Sequence, residues 1–162
     1  MKTKITAIAA LIASLAFATA AEKIKAPNGG RIIGTVQPHA EFLVTAEKKV
    51  EVRFLDAAGK VIAPAAQVVT VVMGDRAAPT KLAFAKDGDK LVSDKVIPEG
   101  KELPVVLQIK TTPDAKAVTA KFNLNMSTCP ECKLSEYACA CDHSTEKKEA
   151  AHEHKGGEDH KH

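Results

Sequence analysis

Apolar and polar residues alternate with a period of two along most of the chain from about Ile24 to Leu124, and no useful length shows the 3.6-residue period of an amphipathic helix. Val50, Val52 and Phe54 alternate with Glu51 and Arg53, and Asp56-Ala57-Ala58-Gly59-Lys60 then supplies a turn before Val61-Ile62, which is a hairpin signal. Similar runs cover Phe42 to Thr45, Val68 to Met73, Lys81 to Ala85, Leu91 to Ser93, Val105 to Ile109 and Val118 to Leu124. Gly74-Asp75, Asp87-Gly88-Asp89, Pro98-Glu99-Gly100 and Thr112-Pro113-Asp114 separate several of them. The pattern predicts an all-β body of seven or eight strands.

Strands of this number and spacing in about 100 residues suit an immunoglobulin-like β-sandwich, because each alternating strand has one apolar face to hide against an opposite sheet. An open barrel is the competing architecture. In the last strand Val118, Ala120, Phe122 and Leu124 form one face and Thr119, Lys121 and Asn123 the other, as in a sheet with one wet side. The body contains no cysteine, so the inter-sheet disulfide of antibody-type domains is absent and packing must hold the sheets together.

The chain begins with the three parts of a secretory signal: basic Lys2 and Lys4, an apolar stretch from Ile5 to Phe17, and Ala18-Thr19-Ala20, where cleavage is expected. The apolar stretch, about 13 residues, is shorter than the ~20 that a membrane-crossing helix needs, so no stable membrane anchor is expected. The predicted address is the periplasm or the exterior. Loss of Lys2 and Lys4 lowers the formal charge from +3 to +1, and no segment concentrates Lys or Arg, so the electrostatic footprint of a nucleic-acid binder is missing. With no Trp, one Tyr and five Phe, there is no aromatic platform for stacking bases or sugars. No paired carboxylates, Ser/His/Asp set or phosphate-cradling glycine loop stands out, so an enzyme is not expected.

At Cys129 the composition changes: the remaining sequence holds all four cysteines and five of the six histidines. The predicted organisation is a signal peptide (1–20), a β-sandwich domain (21–126), a cysteine cluster (127–143) and a disordered His-rich tail (144–162), the last too polar to fold around a core. Cys129-Pro130-Glu131-Cys132 is a C-x-x-C, which bends two thiolates toward one ion, and Cys139-Ala140-Cys141 adds a second close pair, with His143 just after. Thiolates suit Zn and, more strongly, Cu(I), and imidazole suits either. The C-x-C half and the six residues between the pairs depart from the usual spacing of a structural zinc knuckle.

Two other readings of the cysteines stay open. An oxidising compartment turns paired cysteines into disulfides, and four cysteines allow three connectivities, although bridges this close together would fasten little of the body. Cys-Pro-x-Cys is also similar to the active-site motif of thiol-disulfide oxidoreductases, but the βα framework that such a site requires is missing here.

Beyond the cysteines, His152-Glu153-His154 and His160-Lys161-His162 are two H-x-H pairs around Gly156-Gly157, which lets the segment fold back; together they suit Zn, Ni or Cu(II). A merely solvated charged tail is the alternative. In the body His39 and Glu41 are two apart on an expected strand, so they share a face and either hold an ion together or form a solvated pair.

Pro27-Asn28-Gly29-Gly30-Arg31, Pro38-His39-Ala40-Glu41-Phe42 and Val52-Arg53-Phe54-Leu55-Asp56-Ala57-Ala58-Gly59-Lys60 together resemble small exported β domains associated with bacterial heavy-metal efflux adaptors. Those commonly begin with His-Gly-Gly and carry a later His-x-Glu strand; here Asn28 stands in place of the histidine. The similarity covers about residues 27–62, and it implies a setting of metal handling, with a metal-efflux or metal-receiving protein as partner. The expected function is an exported transition-metal-binding protein that buffers or hands over copper, zinc or a similar ion, through Cys129, Cys132, Cys139, Cys141, His143, His152, His154, His160 and His162. The rival is a structural or interaction module whose cysteines are disulfide-linked.

Overall fold

The computed structural model describes residues 24–141; the signal segment, His143 and the tail that carries His152, His154, His160 and His162 lie outside the described residues. Ten strands alternate with turns: β1 (Arg31–Ile33), β2 (His39–Val44), β3 (Lys49–Leu55), β4 (Val61–Ile62), β5 (Val68–Met73), β6 (Thr80–Leu82), β7 (Phe84–Asp87), β8 (Lys90–Val96), β9 (Glu102–Lys110) and β10 (Val118–Asn125). The only helical element among the described residues is one 3-10 turn, Glu136–Ala138. One sheet has the order β1-β2-β3-β8-β7, with β4 also paired to β3, and the other has the order β10-β9-β5-β6. All pairings are antiparallel.

The all-β expectation therefore holds, with ten strands in place of seven or eight. Arg31–Ile33 is too short for periodicity to show, and it is recruited by pairing Ile32 with Glu41 of β2. The run from Lys81 to Ala85 is two strands, because the chain changes sheets within it. Leu82 pairs with Val71 of one sheet, Phe84 with Ser93 of the other, and Ala83 between them exchanges hydrogen bonds with Asp94 at the switch. Corners of this kind are how sandwich strands pass between layers.

The core lies between the two sheets, where the predicted inward positions meet. Phe42, Val50, Val52 and Phe54 from one sheet pack with Val69, Val71, Leu107, Ile109 and Leu124 from the other. Phe42 also meets the ring of Phe122 edge-on, with centroids 5.2 Å apart. The outer face of the β2-β3-β8 layer is not simply wet. Glu51 there is buried and paired with both Arg53 (2.7 Å) and Lys90 (2.6 Å).

The segment after β10 joins this core. Thr128 bridges to Ser135, and the following turn delivers Tyr137, only 3% exposed, onto the edge of Phe42 with centroids 6.0 Å apart. The Val44 amide donates to the Tyr137 hydroxyl (3.0 Å), and Arg31 Nη1 donates to the Tyr137 carbonyl (2.9 Å) while its guanidinium lies 4.8 Å from the Phe122 ring centre. The cysteine segment therefore packs against the sandwich through Tyr137. Tyr137→Phe leaves the Val44 N–H buried without its acceptor, so urea unfolding should show a loss of about 1–3 kcal/mol. The larger void of Tyr137→Ala should cost about 3–5 kcal/mol. The m-value should stay unchanged for the Phe variant.

Candidate metal centre

Each half of the cysteine site is shaped by a local turn. In the first half Cys129 N–H donates to the Leu134 carbonyl (2.7 Å), Lys133 N–H returns to the Cys129 carbonyl (3.0 Å), and Lys133 takes a left-handed backbone with φ 62°. The reversal turns backbone amides toward the sulfurs. Cys132 and Glu131 N–H groups donate to the Cys129 sulfur, and the Leu134 N–H donates to that of Cys132. In the second half the 3-10 turn ends as Cys139 N–H reaches the Glu136 carbonyl (3.2 Å), and Cys141 N–H then donates to the Cys139 sulfur (3.3 Å).

The two turns converge. One sulfur from each of Cys129, Cys132, Cys139 and Cys141 lies within 4.8 Å of the others, with Cys139 to Cys129 at 3.4 Å and Cys132 to Cys139 at 3.6 Å. All four are thiols, with no disulfide among them. A tetrahedron with metal–sulfur bonds of ~2.3 Å has sulfur–sulfur edges of about 3.8 Å, close to these spacings, whereas a disulfide needs ~2.05 Å. The cluster is therefore close enough to bind a metal ion through four sulfurs. Cys129 is fully buried and the other three are partly exposed, so the site is anchored on the protein side and reachable from the solvent side.

The electrostatics divide the four sulfurs into two pairs. Backbone N–H donors, chiefly that of Cys132 for Cys129 and that of Leu134 for Cys132, hold these two thiols below the ordinary range despite partial desolvation. Cys139 is pushed up, first by desolvation, and Cys141 is pushed up mainly by sharing its proton with the sulfurs of Cys139 and Cys132. Four thiolates without a cation would crowd negative charge into one small volume, and a divalent ion relieves it.

His39 and Glu41 do not form an ion site together. Glu41 is completely buried and both its carboxylate oxygens are engaged by the 28–30 turn: Oε1 accepts from the Asn28 N–H (2.9 Å) and the Gly30 N–H (2.9 Å), and Oε2 from the Asn28 side-chain amide (2.8 Å). Gly30 is required there, since a Cβ would lie 2.5 Å from the Phe42 carbonyl oxygen and 2.8 Å from Glu41 Cγ. The His39 Nε2 is 2.9 Å from the Gln37 side-chain nitrogen, and its Nδ1 has no hydrogen-bond partner among the described residues. Glu41 is thus the staple of the 28–30 turn. Tyr137, in the sequence a lone aromatic within a polar stretch, is the residue that positions the site, and that isolation was its only signal.

No protein-family model, curated protein or solved structure matches the chain. The chemistry of the site must therefore carry the functional reading.

Two outcomes follow from this geometry. Glu41→Gln replaces an acceptor by an amide whose N–H faces other N–H groups. It should lower stability by about 1–3 kcal/mol while leaving the bound metal per chain unchanged in elemental analysis. Metal entry must displace the protons that Cys139 and Cys141 retain near neutral pH, so binding should release protons and weaken steadily as pH falls. Zinc titration calorimetry in buffers of different ionisation enthalpy measures both effects, and proton-neutral binding at pH 7 would contradict them.

Proposed function

We propose that this chain is an exported metal-binding protein that holds one soft transition-metal ion, Zn or Cu(I), in the four-cysteine site and buffers it or hands it on. The observation that carries the reading is the convergence of Cys129, Cys132, Cys139 and Cys141 within 4.8 Å on two turns. A ligand set of four sulfurs selects against Mg and Ca and in favour of thiophilic ions. The partial exposure of three of the four gives an incoming thiol or imidazole a route to the ion, as transfer by ligand exchange requires. In this reading His143, His152, His154, His160 and His162 form a looser outer site that collects the ion, and the receiving partner is a metal-efflux or metal-receiving protein. The resemblance of residues 27–62 to exported domains of heavy-metal efflux systems supports the same setting, and no turnover is part of it.

A second reading has its own observation. The cysteine turns carry Tyr137 into the core, and a closed set of four sulfurs is the usual form of a structural zinc site. The metal would then be a fixed clasp. Exchange separates the two: a buffering site gives up its ion to a competing chelator within minutes while the sandwich stays folded, whereas a clasp releases it only as the sandwich unfolds. Tyr137 is the sole tyrosine in a chain without tryptophan, so its fluorescence follows the second event directly.

Elemental analysis of untagged protein from the exported fraction tests the assignment. One equivalent of zinc or copper is expected at the cysteine site. The Cys129→Ser/Cys132→Ser variant should lose it and keep its β-sheet circular dichroism, and equal metal in both proteins would refute the site. The double variant is preferable to a chain ending at Thr128, because that truncation also removes Tyr137 from the core.

A further inference from the structure

Beside the metal centre is a cleft of about 720 Å³ to which the reading above assigns no role. Its floor and walls come from parts distant in sequence: the segment from Ile24 to Ala26 and the 29–34 turn and strand on one side, and Leu134 with Ala138, Cys139 and Ala140 of the cysteine segment on the other. The volume falls within the ~300–1,000 Å³ range of small-molecule sites, and the lining is mainly aliphatic. Its charged residues are of one sign. Lys25 and Arg31 both line it, and no Asp or Glu does, although such residues make up 20 of the 162 in the chain. Glu41, the buried carboxylate behind the 28–30 turn, does not line the cleft and already accepts three hydrogen bonds from Asn28 and Gly30.

We infer that this cleft is a binding site for a small amphipathic anion, a carboxylate on an aliphatic chain, whose tail lies against Ile32, Leu134 and Ala138 and whose head meets Lys25 and Arg31. An aliphatic tail gains by leaving water against such walls, roughly in proportion to the area covered. The two cations make the site selective for a negative head over a neutral or positive one of the same length. Arg31 has a second duty, holding the Tyr137 carbonyl, so its guanidinium is already fixed in place and loses little freedom on meeting an anion. Lys25 is exposed and supplies the adaptable charge. The site does not depend on the identity of the metal, although Cys139 belongs to both the cleft wall and the metal centre.

The fold offers a blocking position. Gly34 lines the cleft, has no left-handed backbone, and a Cβ built on it meets nothing within 4 Å, so a larger side chain fits there without disturbing the backbone. The probes are decanoate and decylammonium, of equal chain length and opposite charge, titrated by calorimetry into the full mature protein below their micelle-forming concentrations. Decanoate should bind one to one, and decylammonium at least about tenfold more weakly. Gly34→Leu should abolish decanoate binding while zinc content and thermal midpoint stay as in the parent. Lys25→Glu should weaken decanoate about tenfold and narrow the preference. Equal affinity for the two probes, or unaltered decanoate binding by Gly34→Leu, would overturn the inference. So would decanoate affinity that falls as protein concentration rises, since a second copy of the chain would then be the occupant. Gly34→Leu retains all four cysteines and Cys129→Ser/Cys132→Ser retains Gly34, so failure of the cleft inference and failure of the metal assignment are distinguishable.

Discussion

The burial of Tyr137 is the interaction on which the rest of the site depends. The residues from Ser127 to Cys141 are too polar to order themselves, and closing two cysteine turns onto one point costs conformational entropy that four thiols do not offset without a metal. Tyr137 supplies the missing apolar anchor: its ring packs on Phe42 and its hydroxyl satisfies the Val44 amide. Arg31 then holds the carbonyl of the same residue from the opposite side while stacking on Phe122. Cys139, two residues on, is thereby held within 3.4 Å of Cys129. Preorganisation of this kind raises affinity by removing an ordering cost rather than by adding contacts.

A buried carboxylate performs the equivalent task on the other side of the cleft. Glu41 accepts three N–H bonds from Asn28 and Gly30, which ties the chain ahead of β1 to the outer face of β2. Removing a charge from water is costly unless its lone pairs are filled, and here two backbone amides and one side-chain amide fill them. The two anchors, one an aromatic ring and one a buried carboxylate, fasten neighbours of residues that line the cleft: Ala138 beside Tyr137, and Gly30, which donates to Glu41. The cysteine cluster and the cleft share Cys139.

Much of the sandwich was legible along the chain. The alternation of Val50, Val52 and Phe54 with Glu51 and Arg53, and of Val118, Ala120, Phe122 and Leu124 with Thr119, Lys121 and Asn123, maps directly onto inner and outer faces. What escaped had little local signal. Arg31–Ile33 is a strand because Phe42 and Glu41 lie opposite it, and the break at Ala83 marks a change of sheet that the apolar run from Lys81 to Ala85 does not show. His39 and Glu41 do sit two apart on a strand, as expected, but the turn that occupies the carboxylate comes from 11 to 13 residues earlier.

The candidate site divides in the same way. Residue types and spacing alone determined that four thiols could meet and that they would favour a soft ion, because a C-x-x-C turn and a C-x-C pair are local geometries with local causes. They also determined the β character of the body, since side-chain alternation is a property of neighbouring residues. Only the tertiary structure decided that the two cysteine pairs face each other, that the lone tyrosine is their anchor, and that Glu41 is a staple rather than a ligand. Each of these depends on contacts between residues far apart in the chain, Tyr137 with Val44 and Arg31 above all, and no local pattern encodes which distant partner a buried polar group will find.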